Sequence, residues 1–427
     1  MKKILIFAVI FVLMFLSGCT KKADPAGDKT VVEFWHAMNG PLGDALDTLV
    51  KEFNDSQTEY YVNAIPMGNY TALSQKIMAA VQTGNQPDIC QVFESWTSNM
   101  MKGDLLVPVQ DFIDVDDTFG DADLADFYPV FLQSNTVDGK LVSLPFNKSV
   151  RVMYYNKDIL FQNDLDPNKP PKTWAKFREM CRDMTLDIDG DGTPDRYGTT
   201  LKISAWQFEN LLLQAGGEIM SADEKTALFN SEAGVEALDF LTGLLVEDKT
   251  AYLSPGYDGQ NDFLAGKVVF YEDSSVSLAY MQEIGIDFNM GICAIPIKVS
   301  AANIISGTNV AIFKSESREV ERGAWEFMKW FASAPVTAKW SEYTYYMPVR
   351  RSAFQEQGLR KRLLSNPEIK SVYDQLEEAA FEPQIPEWFE TRKYLEDQVI
   401  EKVVRGALPA KEALDRAADK IEEMLRK

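Results

Sequence analysis

TVVEFWHAMNGPLGDALDTLVKEFNDSQTEYYVNAIPMGNYTALSQKIMAAVQTGNQPDICQVFE, residues Thr30 to Glu94, switches four times between the hydrophobic period of a strand and that of a helix. Val31 to Trp35 has strand composition, and Leu42, Ala45, Leu46, Leu49, Val50 and Phe53 then recur at helical spacing. Tyr60 to Pro66 reads as the next strand and Tyr70 to Gln82 as the next helix. Ile89 to Phe93 forms a third strand after the breakers Gly84, Asn85 and Pro87. Strand, helix, strand, helix, strand at this spacing predicts an α/β fold with a mainly parallel sheet and crossover helices. Ligands of such sheets lie outside the carboxyl ends of the strands, so the residues just after each strand, Glu94 among them, become the candidates for binding.

Upstream of this segment, Lys21 to Lys29 is small, polar and without periodicity, which suits a tether. Before it stand Met1, Lys2 and Lys3, an apolar run from Ile4 to Leu16, and then Ser17, Gly18 and Cys19. A basic start, a short apolar core and small residues before a cleavage point read as an export signal. Small residues directly before a cysteine resemble a bacterial lipoprotein signal. That likeness makes residues 1–18 a leader, Cys19 a lipid-modified first residue and 19–29 the tether of a chain held outside the cytoplasmic membrane. A plain signal peptide or an N-terminal anchor is the alternative, and either leaves the protein extracytoplasmic. No later apolar run is long enough to span a bilayer.

The 427 residues suffice for two domains, and the formal net charge of −21 repels nucleic acid and anionic membranes. An anionic ligand therefore needs a locally arranged set of donors. Cys90, Cys181 and Cys293 have no metal or redox spacing and read as buried thiols. The single histidine, His36, makes a histidine triad improbable and excludes a multi-histidine zinc site by count, while carboxylate chemistry stays open. Further along, Leu144 to Asp158 suits a strand passing from one domain into another. Gly291 to Ile297 and Ile304 to Phe313 look like more strands, with a loop over Val299 to Asn303 between them, and Tyr345 to Arg350 suits a last crossing. Helices follow over Glu319 to Ala332, around Leu395, Val399 and Val403, and after Pro409. The pattern is that of two α/β lobes, each assembled from discontinuous pieces.

FWHAMNGPLG (Phe34 to Gly43), MGNY (Met67 to Tyr70), TGNQPDICQVFE (Thr83 to Glu94), LPFNKS (Leu144 to Ser149), YYNKD (Tyr154 to Asp158), PPKTW (Pro170 to Trp174), ISGT (Ile305 to Thr308) and YYMPVR (Tyr345 to Arg350) appear in this order. Together they resemble the family 1 extracellular solute-binding proteins of ABC importers, and within them the branch that binds glycerol phosphates. The resemblance covers essentially the whole mature chain. It implies a two-lobe Venus-flytrap fold joined by several hinge crossings, with one lobe over 30–152 and 295–346 and the other over 153–294 and 347–427. It further implies a monomer without enzymatic activity that closes on one small molecule and presents it to a membrane permease.

Carried over by position, the likeness places ligand contacts at Tyr70, Glu94, Ser149, Ser274, Gly307 and Tyr346, with Trp206 near a cleft tryptophan of the family. A carboxylate such as Glu94 accepts two hydroxyl hydrogen bonds, and the Gly307 backbone permits close approach of a phosphate. The phosphate-binding arginine of the branch falls, counting back from Gly406, on Lys393, with Arg392 next to it. The two side chains are not equivalent phosphate ligands, and Arg151 is a substitute for either. The implied ligand is glycerol 3-phosphate or a glycerophosphodiester, with a sugar or oligosaccharide as the alternative. From other classes, a secreted carbohydrate-active enzyme would use Glu94 and a second acid, and an adhesin or sensor would signal to a membrane partner.

One motif stands apart from the likeness. In DIDGDGTPDRYG, Asp187, Asp189, Asp191 and Asp195 occupy positions 1, 3, 5 and 9 of a calcium loop with Gly192 at the turn. Gly198 replaces the bidentate glutamate at the last position, so a structural calcium and a metal-free acidic turn are both open. No other cofactor is expected.

Overall fold

The computed structural model describes residues 26–426. Residues 1–25, with the expected leader, Cys19 and most of the expected tether, lie outside the described residues. Eleven strands build two sheets: β1 (Thr30–His36), β2 (Tyr60–Pro66), β3 (Ile89–Val92), β4 (Leu106–Val107), β5 (Leu144–Ser149), β6 (Arg151–Asn156), β7 (Tyr197–Leu201), β8 (Ala251–Leu253), β9 (Val268–Ser274), β10 (Met290–Ala294) and β11 (Ser306–Phe313). The first sheet runs β2-β1-β3-β11-β4, with β5 also paired to β11. The second runs β8-β7-β9-β6-β10. Flanking helices cover both, giving the two-lobe fold that the motifs implied.

One strand is reversed in each sheet. β1, β2 and β3 are mutually parallel, while β11 is antiparallel to β3, β4 and β5. In the second sheet β6 is antiparallel to both β9 and β10, which leaves β7, β8, β9 and β10 pointing the same way. The reversed strands are the two that arrive from the other lobe. β6 follows β5 across Val150 alone, so the stretch expected as one strand is two strands in two sheets. β11 follows β10 across residues 295–305. Within that connection Asn303, expected as the end of a loop, and Ile304, expected as the start of the next strand, pair with Ala379 and Ala380, apart from both sheets. A third connection, over residues 345–350, touches both lobes: the Tyr345 carbonyl accepts from Ser275 at 3.0 Å and the Met347 amide donates to the Lys148 carbonyl at 2.6 Å.

Periodicity explains the layers. The Gly40–Ser56 helix buries Leu42, Ala45, Leu46, Leu49, Val50 and Phe53, the same set its spacing marked. These pack with Phe34, Phe146, Phe327, Phe331 and Trp340 in the first core. The second core gathers Phe177, Cys181, Phe208, Leu212, Phe270 and Leu414. β6 is buried on both faces: Val152 and Tyr154 join the first cluster, Met153 and Tyr155 the second. Its four central residues, Val152 to Tyr155, are therefore apolar, as a doubly covered strand requires, and the polar Arg151 and Asn156 stand at its ends. The helices from Trp388 to Leu425 pack on the second core, and the Gln357–Ser365 and Pro367–Tyr373 helices lie between the Ala334–Thr344 helix of the first lobe and β10 of the second. Among the described residues no helix is long and apolar enough to cross a membrane.

Trp340 ties the first core to the last crossing, since its ring packs on Phe146 and Phe331 and stacks on Tyr346 at 5.5 Å. Trp340→Ala is expected to lower the unfolding free energy by about 3–5 kcal/mol, read as a lower urea midpoint at unchanged slope.

Candidate functional site

Strand direction decides where the sites lie. The carboxyl ends of β1, β2, β3 and β5 share one end of the first sheet, and the reversed β11 begins there. That end carries His36, Met67 to Tyr70, Phe93 and Glu94, Asn147 to Ser149, and Ser306 to Thr308. By the same logic Arg151, Lys202 and Ser274 share one end of the second sheet. Both ends open toward the crossings, which makes the space between the lobes the binding cleft.

At the centre of the first wall is Asn147, which is completely buried. Its Nδ2 donates to the hydroxyls of Tyr70 and Tyr346, at 2.9 Å each. Its Oδ1 accepts from the Thr308 amide at 3.0 Å, from the Thr308 hydroxyl and from Gln91 Nε2 at 3.3 Å. Gln91 in turn accepts from the Ala37 amide. Tyr70 is the first residue of a helix capped by Asn69, whose side chain accepts from the Ala72 amide at 2.9 Å. Burial raises the phenol pKa of both Tyr70 and Tyr346, so both stay neutral hydroxyls at physiological pH.

Gly307 sits in β11 opposite Lys148 with φ +124°, and a Cβ there would lie 1.8 Å from the Asn147 carbonyl oxygen. Only glycine lets β11 and β5 approach this closely. Lys148, nearly fully buried in the middle of LPFNKS, reaches Glu94 Oε1 at 2.8 Å, and Asn309 Nδ2 donates to the same oxygen at 3.1 Å. Glu94 begins the Glu94–Lys102 helix, where a carboxylate also meets the positive end of the helix dipole. Ser149 and Ser274 stand at the two sheet ends: Ser149 Oγ lies 3.4 Å from the Ser306 carbonyl and Ser274 Oγ accepts from the Val276 amide at 3.4 Å.

On the second wall, the Trp388–Tyr394 helix resolves the neighbouring cations geometrically. Arg392 turns inward and its Nη1 meets Glu382 Oε2 at 3.0 Å, while Lys393 is exposed. Burial works against the Arg392 charge, but Glu382, Glu209, Glu396 and Glu94 outweigh it and hold its pKa above the ordinary value. Glu94 belongs to the opposite lobe, so Arg392 faces across the cleft. Glu382 likewise feels Glu94 and Lys148. Arg151, by contrast, is committed within the second lobe: its Nη2 lies 3.4 Å from the Glu272 carbonyl and 3.6 Å from that residue's carboxylate. Its guanidinium covers Trp206 at 5.5 Å, and Trp206 Nε1 donates to the Ile304 carbonyl at 2.8 Å. Trp206 is thus a buried residue beside a crossing.

The rims are in contact. Phe389 lies 5.6 Å from Trp96, edge on, Ser98 Oγ donates to the Gln384 carbonyl at 2.9 Å, and Tyr280 OH reaches Asn39 at 3.3 Å. His36 is buried, its Nδ1 accepts from the Met38 amide at 3.2 Å, and burial lowers its pKa to about 4, so it is a neutral structural ring. Asp187, Asp189 and Asp195 bring carboxylate oxygens within 4.8 Å of one another on an exposed loop, without Asp191. The loop precedes β7 and therefore lies at the end of the second sheet remote from the cleft.

Asn147, Lys148, Glu209 and Glu382 were not among the contacts expected from the sequence. Polar residues inside a strand that is buried along its whole length are the signal that marks Asn147 and Lys148, next to the expected Ser149. Glu209, on the otherwise apolar Ala205–Gln214 helix, gives a weaker one. Because Lys148 is almost wholly withdrawn from water, Lys148→Met should leave Glu94 without its counter-charge, with only the Asn309 amide on that oxygen, and cost about 3–5 kcal/mol. Adding Glu94→Gln should restore a large part of that, as a double-mutant cycle in urea would measure.

Residues 48–369 match the family described as bacterial extracellular solute-binding protein. The sn-glycerol-3-phosphate-binding periplasmic protein of Escherichia coli is 28% identical over 419 residues, covering 93% of each chain. That of Yersinia pestis is 29% identical over 346 residues, covering 76% of this chain and 75% of the relative. Among solved structures, the cyclic alpha-maltosyl-1,6-maltose binding protein of Arthrobacter globiformis superposes with TM-score 0.79 at 23% identity, covering 93% of this chain and 99% of that one. UgpB from Mycobacterium tuberculosis, in complex with glycerophosphocholine, superposes with TM-score 0.80 at 22% identity, covering 93% and 98%. With this match over most of its length and the cleft between its two sheets, the chain belongs to the bacterial extracellular solute-binding proteins, the binding components of ABC importers to which its motifs pointed.

Proposed function

We propose that the protein captures glycerol 3-phosphate or a glycerophosphodiester in the cleft by hinge closure and delivers it to the permease of an ABC importer. The observation that carries this reading is the convergence of donors from both lobes. The hydroxyls of Tyr70 and Tyr346, the Glu94–Lys148 pair and the Gly307 backbone belong to one wall, and Arg392 belongs to the other. A ligand touching both walls stabilises the closed state over the open one by its contacts with the second wall. The curated relatives named above are glycerol-phosphate binders over most of this chain's length, which supports the choice of ligand. Lipid attachment at Cys19 would hold the protein at the outer face of the membrane beside its permease. The protein acts as a monomer and needs no cofactor for capture.

A sugar or oligosaccharide is the second reading, favoured by one specific feature: Arg392 is already paired with Glu382, and carboxylates outnumber cations in the cleft. Turnover of a glycoside is disfavoured, because Glu94 is held by Lys148 and Asn309, which suits a hydrogen-bond acceptor better than a nucleophile.

Titration calorimetry with glycerol 3-phosphate, glycerophosphocholine and maltose discriminates these. Saturable binding of a phosphate ester is expected, weakened about 10- to 100-fold by Arg392→Ala and unaffected by Lys393→Ala, with the ligand recovered unchanged. Binding of maltose alone would replace the ligand class and leave the importer.

A further inference from the structure

Buried polar atoms without partners among the described residues concentrate beside Arg392. Both carboxylate oxygens of Glu209, Oε1 of Glu382, Oγ1 of Thr391 and Nε1 of Trp388 are of this kind, and all lie on the Ala205–Gln214 helix or within residues 382–391. Glu209 is completely buried. The charged groups around the pair are few. Glu209 faces Glu382, Arg392 and Glu396; Glu382 faces Arg392 and Glu396 in its own lobe and Glu94 and Lys148 across the cleft. Lys148 is engaged by Glu94, and Glu396 Oε1 accepts the Ala205 amide at 2.9 Å. One guanidinium therefore serves the two remaining acids, and among the described residues it is hydrogen-bonded only to Glu382.

An ionised carboxylate withdrawn from bulk solvent and without a donor among the described residues is too costly to keep, so Glu209 is the neutral acid of the pair. Burial first, and the neighbouring Glu382 second, push its carboxyl well above the usual range; burial raises Glu382 as well, against the pull of Arg392. The needs of the two groups are complementary: a protonated Glu209 has an O–H in want of an acceptor, and Glu382 Oε1 is a carboxylate oxygen in want of a donor.

We propose that Glu209 and Glu382 hold one proton between them and that this pair gates Arg392 as an anion receptor. While Glu382 is ionised it occupies the guanidinium. An anionic ligand gains Arg392 when a second proton, taken from solvent, forms an O–H bond on Glu382 and the carboxylate–guanidinium pair is exchanged for a phosphate–guanidinium pair. No other bond changes. Glu209 is a positioning residue in this scheme. The inference rests on the phosphate-ester reading above and adds proton uptake to it. Affinity for an anion then rises as pH falls toward the raised Glu382 range, by at most about tenfold per pH unit for one proton. A neutral sugar exchanges no charge and shows no such slope.

The test is calorimetry of glycerophosphocholine, whose diester does not itself titrate near neutrality, and of maltose, between about pH 5.5 and 7.5 in two buffers of different ionisation enthalpy. For the wild type the diester should bind more tightly at the acid end with net proton uptake. Glu382→Gln leaves Arg392 permanently free, so it should bind the diester at the alkaline end at least about tenfold tighter than wild type, with a flat profile. Glu209→Gln is isosteric with the neutral acid and donates its amide to Glu382 in the same way, so it should keep the wild-type slope and proton uptake. Diester binding that is independent of pH in the wild type, or weakened throughout by Glu382→Gln, overturns the gate while the ligand reading stands. Binding of maltose without any diester binding at any pH overturns both. Near-ultraviolet circular dichroism checks the fold of each variant; should one fail to fold, the wild-type slope and its proton uptake decide.

Discussion

The carboxamide of Asn147 uses its donors and its acceptor on four different pieces of chain, and the geometry of the cleft wall depends on it. Through Gln91 and Thr308 it locks β3 to β11, and through Tyr70 and Tyr346 it fixes the first turn of a helix and the last crossing. A buried polar network of this kind contributes most when every member is satisfied, because each unpaired group would cost about 1–3 kcal/mol. The two phenols are therefore aimed before any ligand arrives. Preorganised donors keep the entropic cost of binding low, which is what a scavenging protein requires.

The charges follow a different logic from the hydroxyls. Each wall carries an ion pair, Glu94 with Lys148 on one side and Glu382 with Arg392 on the other, and each pair feels its counterpart across the cleft. Such pairs add little net stability, since desolvation offsets attraction. Their value lies in selection: a ligand has to offer groups that replace interactions already present. In a chain with net charge −21, a cation held between carboxylates adds no long-range attraction for anions and acts only on a ligand already in the cleft.

Much of the first lobe was legible. From Thr30 to Glu94 the periods of two and of 3.6 residues alternate cleanly, because each element buries one face, and the rule of strand carboxyl ends marked Glu94 without a structure. Leu144 to Asp158 was harder. β5 and β6 are both buried on two faces, so nothing in their polarity records that Val150 separates two sheets. The site was legible where the motif likeness reached, at Tyr70, Gly307 and Tyr346. It was illegible where partners are remote: Glu209 meets residues about 170 to 190 positions later, and no local pattern anticipates that. The ambiguity between Arg392 and Lys393 is one of helical phase. Trp388, Thr391 and Leu395 are buried, which sets the inner face and leaves Lys393 outside it.

β11 has a consequence for how the chain is made. It is the strand that joins β3 to β4 and β5, so until residues 306–313 exist the first sheet is three unconnected pieces, β2-β1-β3, β4 and β5, with open edges. More than two thirds of the polypeptide must emerge before its N-terminal lobe can close. Folding that waits on such distant contacts is intrinsically slow. For a protein that works beyond the cytoplasmic membrane, this delay keeps the growing chain loose enough to be threaded outward before it sets.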